Sequence, residues 1–448
     1  MRISIRISLI ALAAAVMGLT QTGASRAEEY VSKEEFQQFK AEFEKFKVQN
    51  EQLKTENAEL RTENKNFQTI NKATPIGARL DQSVFSAAEQ LRNDVNNVKS
   101  GTTKFLLTGS ADVAYMDHAG NPSTFTSEFD PIYLWKMSDR LSFEAETPIT
   151  VGSGGTSIEL EYADIAYVVN DYLTVQAGKF KSPFGLFNMR FDPPWINKFS
   201  DAPAVYDDGA AGLVPHQELG VMGSGAIEAG PGKLKYNVFL SNGLRVETAD
   251  PAAFGLFINN DQDNNKSKGV GGRLGYIPIP CLEIGFSGEF SSNVFDQGKQ
   301  GDVSGRLLGA DFSFIRDFDQ LMGTIDFKAE WIWSKAGDAT YMVNTNPVTT
   351  VVFNNNRRDG GYVQMAYRPI KFDQRWVKNL EFAVRYDHLS NPKPTADTPP
   401  DALFQRQNHD RYTVGLNYWL DASTVLKFDY ERDSRDHRTI WLQYALGF

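Results

Sequence analysis

The chain has 448 residues, a formal net charge of −10, 12% aromatic residues (31 Phe, 17 Tyr and 7 Trp) and one cysteine, Cys281. The acidic balance argues against a nucleic-acid partner, and a lone cysteine excludes an intramolecular disulfide. Beyond the N-terminus no window approaches 18 charge-free apolar residues, which excludes a transmembrane helix, yet an aromatic-rich chain of water-soluble mean hydropathy suits a membrane β-barrel, whose strands alternate polar and apolar residues.

In chain order, Arg2 and Arg6 precede an apolar run from Ile7 to Leu19 and a small-residue site at Ser25-Arg26-Ala27. This is the layout of a secretory signal peptide over residues 1–27, cleaved after Ala27, and the run is too short for a membrane anchor. Residues 28–71 carry a seven-residue repeat. Phe36, Phe43, Asn50, Asn57 and Asn64 take one core position, and Phe39, Phe46, Leu53, Leu60 and Phe67 take the other. Glu35, Glu42, Glu56 and Glu63 at g face Lys40, Lys47 and Arg61 at e, the pattern of a parallel, in-register coiled coil, while Ser32 and Glu35 form a capping box at its start. The repeated asparagines fix register at a cost in stability, and the heptads alone leave two and three strands open; a solitary solvated helix is the competing reading. Residues 72–103, with Pro75, Gly77 and a polar helical stretch around Ala87 to Val98, read as a linker.

From Lys104 to Phe448 the period becomes two. In LEFAVRYD, Leu380, Phe382, Val384 and Tyr386 oppose Glu381, Arg385 and Asp387, and in TVLKFDYE, Leu426, Phe428 and Tyr430 oppose Lys427, Asp429 and Glu431. Segments of this kind fall near 104–115, 125–136, 140–147, 158–168, 171–180, 216–226, 233–241, 268–277, 281–290, 304–315, 321–333, 361–369, 377–389, 409–419, 422–432 and 438–448. Sixteen strands return the C-terminus to the side of entry, the periplasm. Loop lengths agree, because terse connections such as VNDY, IPIPC and WLDAS alternate with long ones such as SNPKPTADTPPDALFQRQNHD. A soluble β-sandwich would also alternate, but its loops need not sort by length. The final WLQYALGF is apolar to its end, which predicts Phe448 at the periplasmic lipid interface, closing the last strand against the first.

One connection is unlike the others. GKFKSPFGLFNMRFDPPWINKFSDAPAVYDDGAAGLVPHQE lacks alternation, is rich in proline and is too apolar for a floppy external loop. It is expected to fold into the barrel and narrow it, with Lys179, Lys181, Arg190 and Lys198 set against Asp192, Asp201, Asp207 and Asp208; a packed external cap touching a neighbouring subunit is the alternative. Strand parity adds Lys235, Arg273, Lys328 and Arg385 as inward-facing pore candidates.

The stretch LTVQAGKFKSPFGLFN, followed by PPWINK, together with FDPIYLWKMSDRLSFEAE, resembles outer-membrane porins of the phosphate-selective porin O/P type, over residues 104–448. The resemblance implies a 16-stranded trimer, and the N-terminal coil is similar to that of some trimeric porins. Phosphate selectivity is not implied, because inward acids, among them Asp112, Glu144, Glu218, Glu289 and Asp326, outnumber inward bases and no arginine ladder is legible.

Catalysis has little footing. His118, His216, His388, His409 and His437 share no metal-ligand spacing, and neither GxSxG nor a Gly-rich phosphate loop occurs, so no enzyme activity, cofactor or metal is expected. The expectation is therefore an all-β protein, a 16-stranded antiparallel transmembrane barrel preceded by a periplasmic α-helical coiled coil. Set in the Gram-negative outer membrane as a homotrimer, its water-filled lumen would pass small hydrophilic, charged solutes, including ions, by diffusion. An envelope-tethering protein or adhesin, or a barrel hydrolase, are the alternatives.

Overall fold

The computed structural model describes residues 104–207, 212–246, 256–257, 263, 265–294, 303–337, 339–343, 349–353, 357–390, 408–434 and 437–448. The expected signal peptide, coiled coil and linker, together with Asp208, lie outside the described residues.

The barrel wall is β1 (Phe105–His118), β2 (Thr124–Lys136), β3 (Leu141–Glu146), β4 (Tyr162–Asn170), β5 (Leu173–Lys181), β6 (Gln217–Ala229), β7 (Gly232–Ser241), β8 (Gly269–Ile279), β9 (Leu282–Ser291), β10 (Gly305–Phe318), β11 (Gly323–Ala336), β12 (Arg357–Arg368), β13 (Leu380–Ser390), β14 (His409–Trp419), β15 (Thr424–Asp433) and β16 (Arg438–Gly447). Each pairs antiparallel with the next, and β16 returns to β1 from Ser110↔Gly447 to His118↔Thr439. This is the closed sixteen-stranded barrel that the alternation predicts.

The alternation also settles which face is which. Phe286 is 64% exposed and Phe428 47%, whereas Asp429 on the other row of β15 is 1% exposed. Apolar residues point away from the barrel and charged ones into it, the reverse of a sandwich core.

Two boundaries differ from the sequence reading. The third predicted strand runs into Pro148, which has no N–H for the ladder, so β3 stops at Glu146. The rest of β2 pairs instead with Ile149–Gly152, which turns back through Gly155 (φ +107°) onto Gly155–Ile158. These two short strands bring the sheet to eighteen, and β4 begins only at Tyr162. At β12 the strand starts at Arg357 rather than at the predicted 361. A β-carbon at Gly361 would stand 2.1 Å from the Glu330 carbonyl oxygen, so glycine serves close strand approach there and not a turn.

The C-terminus closes the ring. Phe448 N–H donates to the Gly109 carbonyl at 3.0 Å, Gly109 N–H donates back at 3.1 Å, and the Phe448 ring stacks on Phe129 at 5.6 Å. Gly109 holds φ +147°, and a β-carbon there would meet the Asp130 carbonyl at 2.1 Å.

Candidate functional site

Among its described residues, the segment between β5 and β6 has no strand. Pro183, Pro193, Pro194, Pro203 and Pro215 deny it a ladder, and it forms a π-helical turn at Phe187–Phe191 and a 3₁₀ turn at Ala204–Tyr206. Such a backbone needs partners for its N–H and C=O groups, and the inward row of the wall supplies them.

The N–H groups go to carboxylates and a hydroxyl. Gly185 N–H donates to Ser287 on β9 (3.0 Å), and Leu186 and Phe187 N–H donate to Glu330 on β11 (3.1 and 2.8 Å). Ser200 donates through both N–H and hydroxyl to Asp429 on β15 (2.7 Å each), and Ala204 N–H to Asp387 on β13 (3.0 Å). The carbonyls go to cations. Arg385 reaches those of Asp201 and Ala202 (3.0 and 3.1 Å), Arg358 that of Gly212 (3.2 Å), and Lys427 that of Phe199 (3.0 Å). Apolar side chains of the segment, including Phe184, Leu186, Phe187, Val205 and Tyr206, cluster with Leu307, Ile332, Tyr362 and Leu389 of the wall. Trp195 lies over Gly447, where a β-carbon would come 2.5 Å from its indole nitrogen.

Against this frame the sequence-predicted residues separate. Lys181 pairs with Glu146 (3.1 Å) and Asp192 (3.6 Å), Arg190 with Glu283 (2.7 Å), Lys198 with Glu381 (3.0 Å) and Asp326 (3.7 Å), and Asp201 with Arg411. Lys235 lies 3.9 Å from Glu283. Arg273 is bound to Asp311 (2.6 Å) and Glu283 (3.0 Å), Lys328 pairs with Asp326 and sits over the Phe191 ring, and Arg385 pairs with Asp387 (3.0 Å). All three are buried, engaged with the segment and the wall. Lys179 departs from its assignment. It shares a row with Ala163 and the exposed Leu219, on the outward side, and its amine donates to the Leu160 carbonyl at 2.8 Å. Asp207 is exposed at the end of the 3₁₀ turn.

The strongest feature absent from the predicted set is a charge imbalance around the ring. On β1 to β4 and the hairpin beside them, Asp112, Glu128, Glu144 and Asp164 are met by neutral donors: Gln443 (3.0 Å), Thr150 (3.0 Å), Tyr162 (2.7 Å) and Gln176 (3.2 Å). Gln217 likewise serves Glu161, so Lys181 is the one cation paired with this wall's carboxylates among the described ion pairs. Across the barrel, around β11, Lys198 and Lys328 pair with Asp326 and Lys198 with Glu381, while Glu330 is served by neutral donors. Asp112 and Glu144 were assigned inward from the alternation; Glu128, Asp164 and the pairing of all four need the fold.

No family model matches the chain, and no curated protein matches it. Among solved structures it is similar to OmpF of Salmonella typhi in complex with daunomycin, at 12% identity over 77% of this chain and 98% of that one, with a TM-score of 0.50. It is also similar to OmpT, an outer membrane protein of Vibrio cholerae (10% identity, 78% and 99% covered, TM-score 0.48), and to the anion-selective porin from Comamonas acidovorans (10%, 78% and 100%, 0.47). The OmpF likeness places the chain in a class by fold: a closed sixteen-stranded antiparallel barrel of porin architecture. At such identities the likeness speaks for the fold alone.

Proposed function

We propose that the protein is an outer-membrane porin through which small hydrophilic solutes diffuse passively, with preference for cations. The observation that carries this is the sorting of side chains on a closed barrel of sixteen strands, apolar outward and charged inward, since barrels of this size enclose water. The segment 182–216 narrows that lumen. Its own cations do not make the pore anion-selective, because Lys181, Arg190 and Lys198 are each matched by wall carboxylates. The carboxylates of β1 to β4 outnumber the cations paired with them, and in a confined lumen such a local field attracts cations. The rest of the reading follows the sequence: a signal peptide over 1–27, a periplasmic coiled coil over 28–71, a linker over 72–103, and a homotrimer of the phosphate-selective porin O/P kind without its anion selectivity.

Planar-bilayer recording of the refolded mature chain across a potassium chloride gradient tests this. The reversal potential is expected to have the sign of cation preference, and Asp112→Asn with Glu128→Gln and Asp164→Asn to move it toward zero. A folded barrel that never conducts would sink the porin reading, and an anion-selective one would sink the role given to this wall.

A further inference from the structure

We propose that Arg306, Lys335 and Arg357 form a binding site for the phosphate-bearing headgroup of a lipid in the external leaflet. They stand on consecutive strands, β10, β11 and β12, and are direct partners in the ladder, Arg306 with Lys335 and Lys335 with Arg357. Each has a neighbour in the chain that belongs to the lumen row: Leu307 and Ala336 are buried in the cluster formed with segment 182–216, and Arg358 donates to the Gly212 carbonyl of that segment. The three cations therefore take the outward row. Direct partners stand about 5 Å apart at their β-carbons, so three like charges lie in a line about 10 Å long. Like charges opposite one another destabilise a ladder, and among the described residues no ion pair or hydrogen bond engages any of the three head groups. Asp359, the single carboxylate on the outward rows of these strands, lies opposite Trp333 and Ser390 and pairs with none of them.

Depth identifies the partner. Below the cations the outward rows are apolar, with Leu308, Phe312 and Phe314 on β10 and Trp333, Trp331 and Phe327 on β11. Leu308 is 52% exposed and Trp333 48%. The stretch of β10 from Arg306 to Arg316 has the length, about 9–11 residues, of a strand that crosses hydrocarbon. Tryptophan gathers at the membrane interface, so cations one step beyond Trp333 on the outward row stand at headgroup level. Arginine meets a phosphate with two N–H groups at once and lysine meets it as a point charge, and together they suit an anionic headgroup better than a zwitterionic one, whose own cation they repel. A free phosphate would meet the same three cations but not the apolar band beneath them, whereas a lipid supplies both headgroup and chains. The external placement rests on the porin reading, which sends the long connections at this end of β10 to β12 out of the cell.

The test does not depend on conductance, so its failure and that of the porin reading are separate. The full mature chain, refolded in a neutral detergent, is mixed with phosphatidic acid or with phosphatidylcholine, and the lipid it retains is counted by native mass spectrometry. One phosphatidic acid per chain is expected to be kept in preference to phosphatidylcholine. Its affinity should fall about 5-fold for each cation replaced and about 100-fold when Arg306→Gln, Lys335→Gln and Arg357→Gln are combined. Arg140→Gln with Lys233→Gln and Arg375→Gln removes the same charge from exposed residues at the opposite, short-turn end and should leave this binding unchanged. Heat-modifiable migration on gels checks that each variant remains a folded barrel. Equal retention by the wild type and the first folded triple variant, equal loss in the two triple variants, or no retention by the folded wild type overturns the proposal. So does displacement of the lipid by an equal concentration of inorganic phosphate, which would assign the row to the free anion.

Discussion

Glu330 accepts four hydrogen bonds, from the N–H groups of Leu186 and Phe187 and from the hydroxyls of Tyr206 (2.6 Å) and Tyr362 (2.8 Å). Charge-assisted bonds of this kind contribute about 1.5–3 kcal/mol each, and stripping the acceptor leaves buried donors without partners. Glu330→Ala should therefore destabilise the seating of segment 182–216 by about 3–5 kcal/mol while the sheet ladders of β11 stay intact. The expected readout is new protease cleavage within the segment and noisier, larger conductance steps, with heat-modifiable migration retained. Loss of the folded barrel, or cleavage no faster than wild type, would show that the segment is not hung on this residue. The inward position of Glu330 was legible in IDFKAEW, where Asp326, Lys328 and Glu330 alternate. Its role was not, because the partners lie about 120 to 145 positions earlier in a segment without periodicity. Lys179 shows the converse error. Grouped by sequence proximity with the basic residues after it, it belongs by parity to the outward row of β5.

At the scale of the strands, alternation and turn chemistry located every wall element, and the misplaced boundaries are those where backbone approach overrode side-chain pattern. Between the predicted strands ending at 147 and starting at 158 the chain forms the hairpin of Ile149–Gly152 and Gly155–Ile158, and β12 begins at Arg357 rather than 361, glycine at 361 serving close strand approach. The closing pair β16 to β1 was legible to its last residue, since an even strand count with an apolar terminus leaves the first strand as the only partner. Phe448 adds two backbone hydrogen bonds with Gly109 and a stacked ring on Phe129. Bonds worth about 0.5–1.5 kcal/mol each and a ring pair of about the same size put its removal at about 2–4 kcal/mol. Deleting Phe448 should lower the temperature at which the compact gel band converts to the unfolded one, and Phe448→Tyr should restore most of the difference because the stack and both backbone bonds survive. An unchanged transition temperature on deletion would mean that the seam closes without its last residue. Gly109→Val should be costlier still, since a β-carbon there collides with the Asp130 carbonyl.

For the whole molecule the open matter is what joins one chain to another. The sequence left segment 182–216 as either a lumen constriction or a cap touching a neighbour. Its hydrogen-bonding groups are largely spent on its own wall: Glu330, Asp387, Asp429, Arg358, Arg385 and Lys427 take its backbone, and Glu283 and Glu381 take Arg190 and Lys198. That leaves little for a partner and shifts the burden of assembly to the heptads of residues 28–71 and to the apolar outer rows. The outer rows can be covered by lipid as well as by protein, so they do not by themselves specify a stoichiometry. Residues 28–71 lie outside the described residues; the parallel coil proposed for them, roughly 60 Å at 1.5 Å per residue, would hold its barrels at high local concentration and in one orientation, with the asparagine positions disfavouring slipped pairings. The mature chain should accordingly conduct in grouped steps of three, and a chain beginning at residue 72 should refold to the same heat-modifiable barrel but insert as single steps. Cross-linking in detergent should give the matching pattern, trimer for the first and monomer for the second. Triplet steps surviving in the shortened chain would place the trimer contact on the barrel's outer rows and leave the coil a different task in the periplasm; single steps from both would remove the trimer altogether.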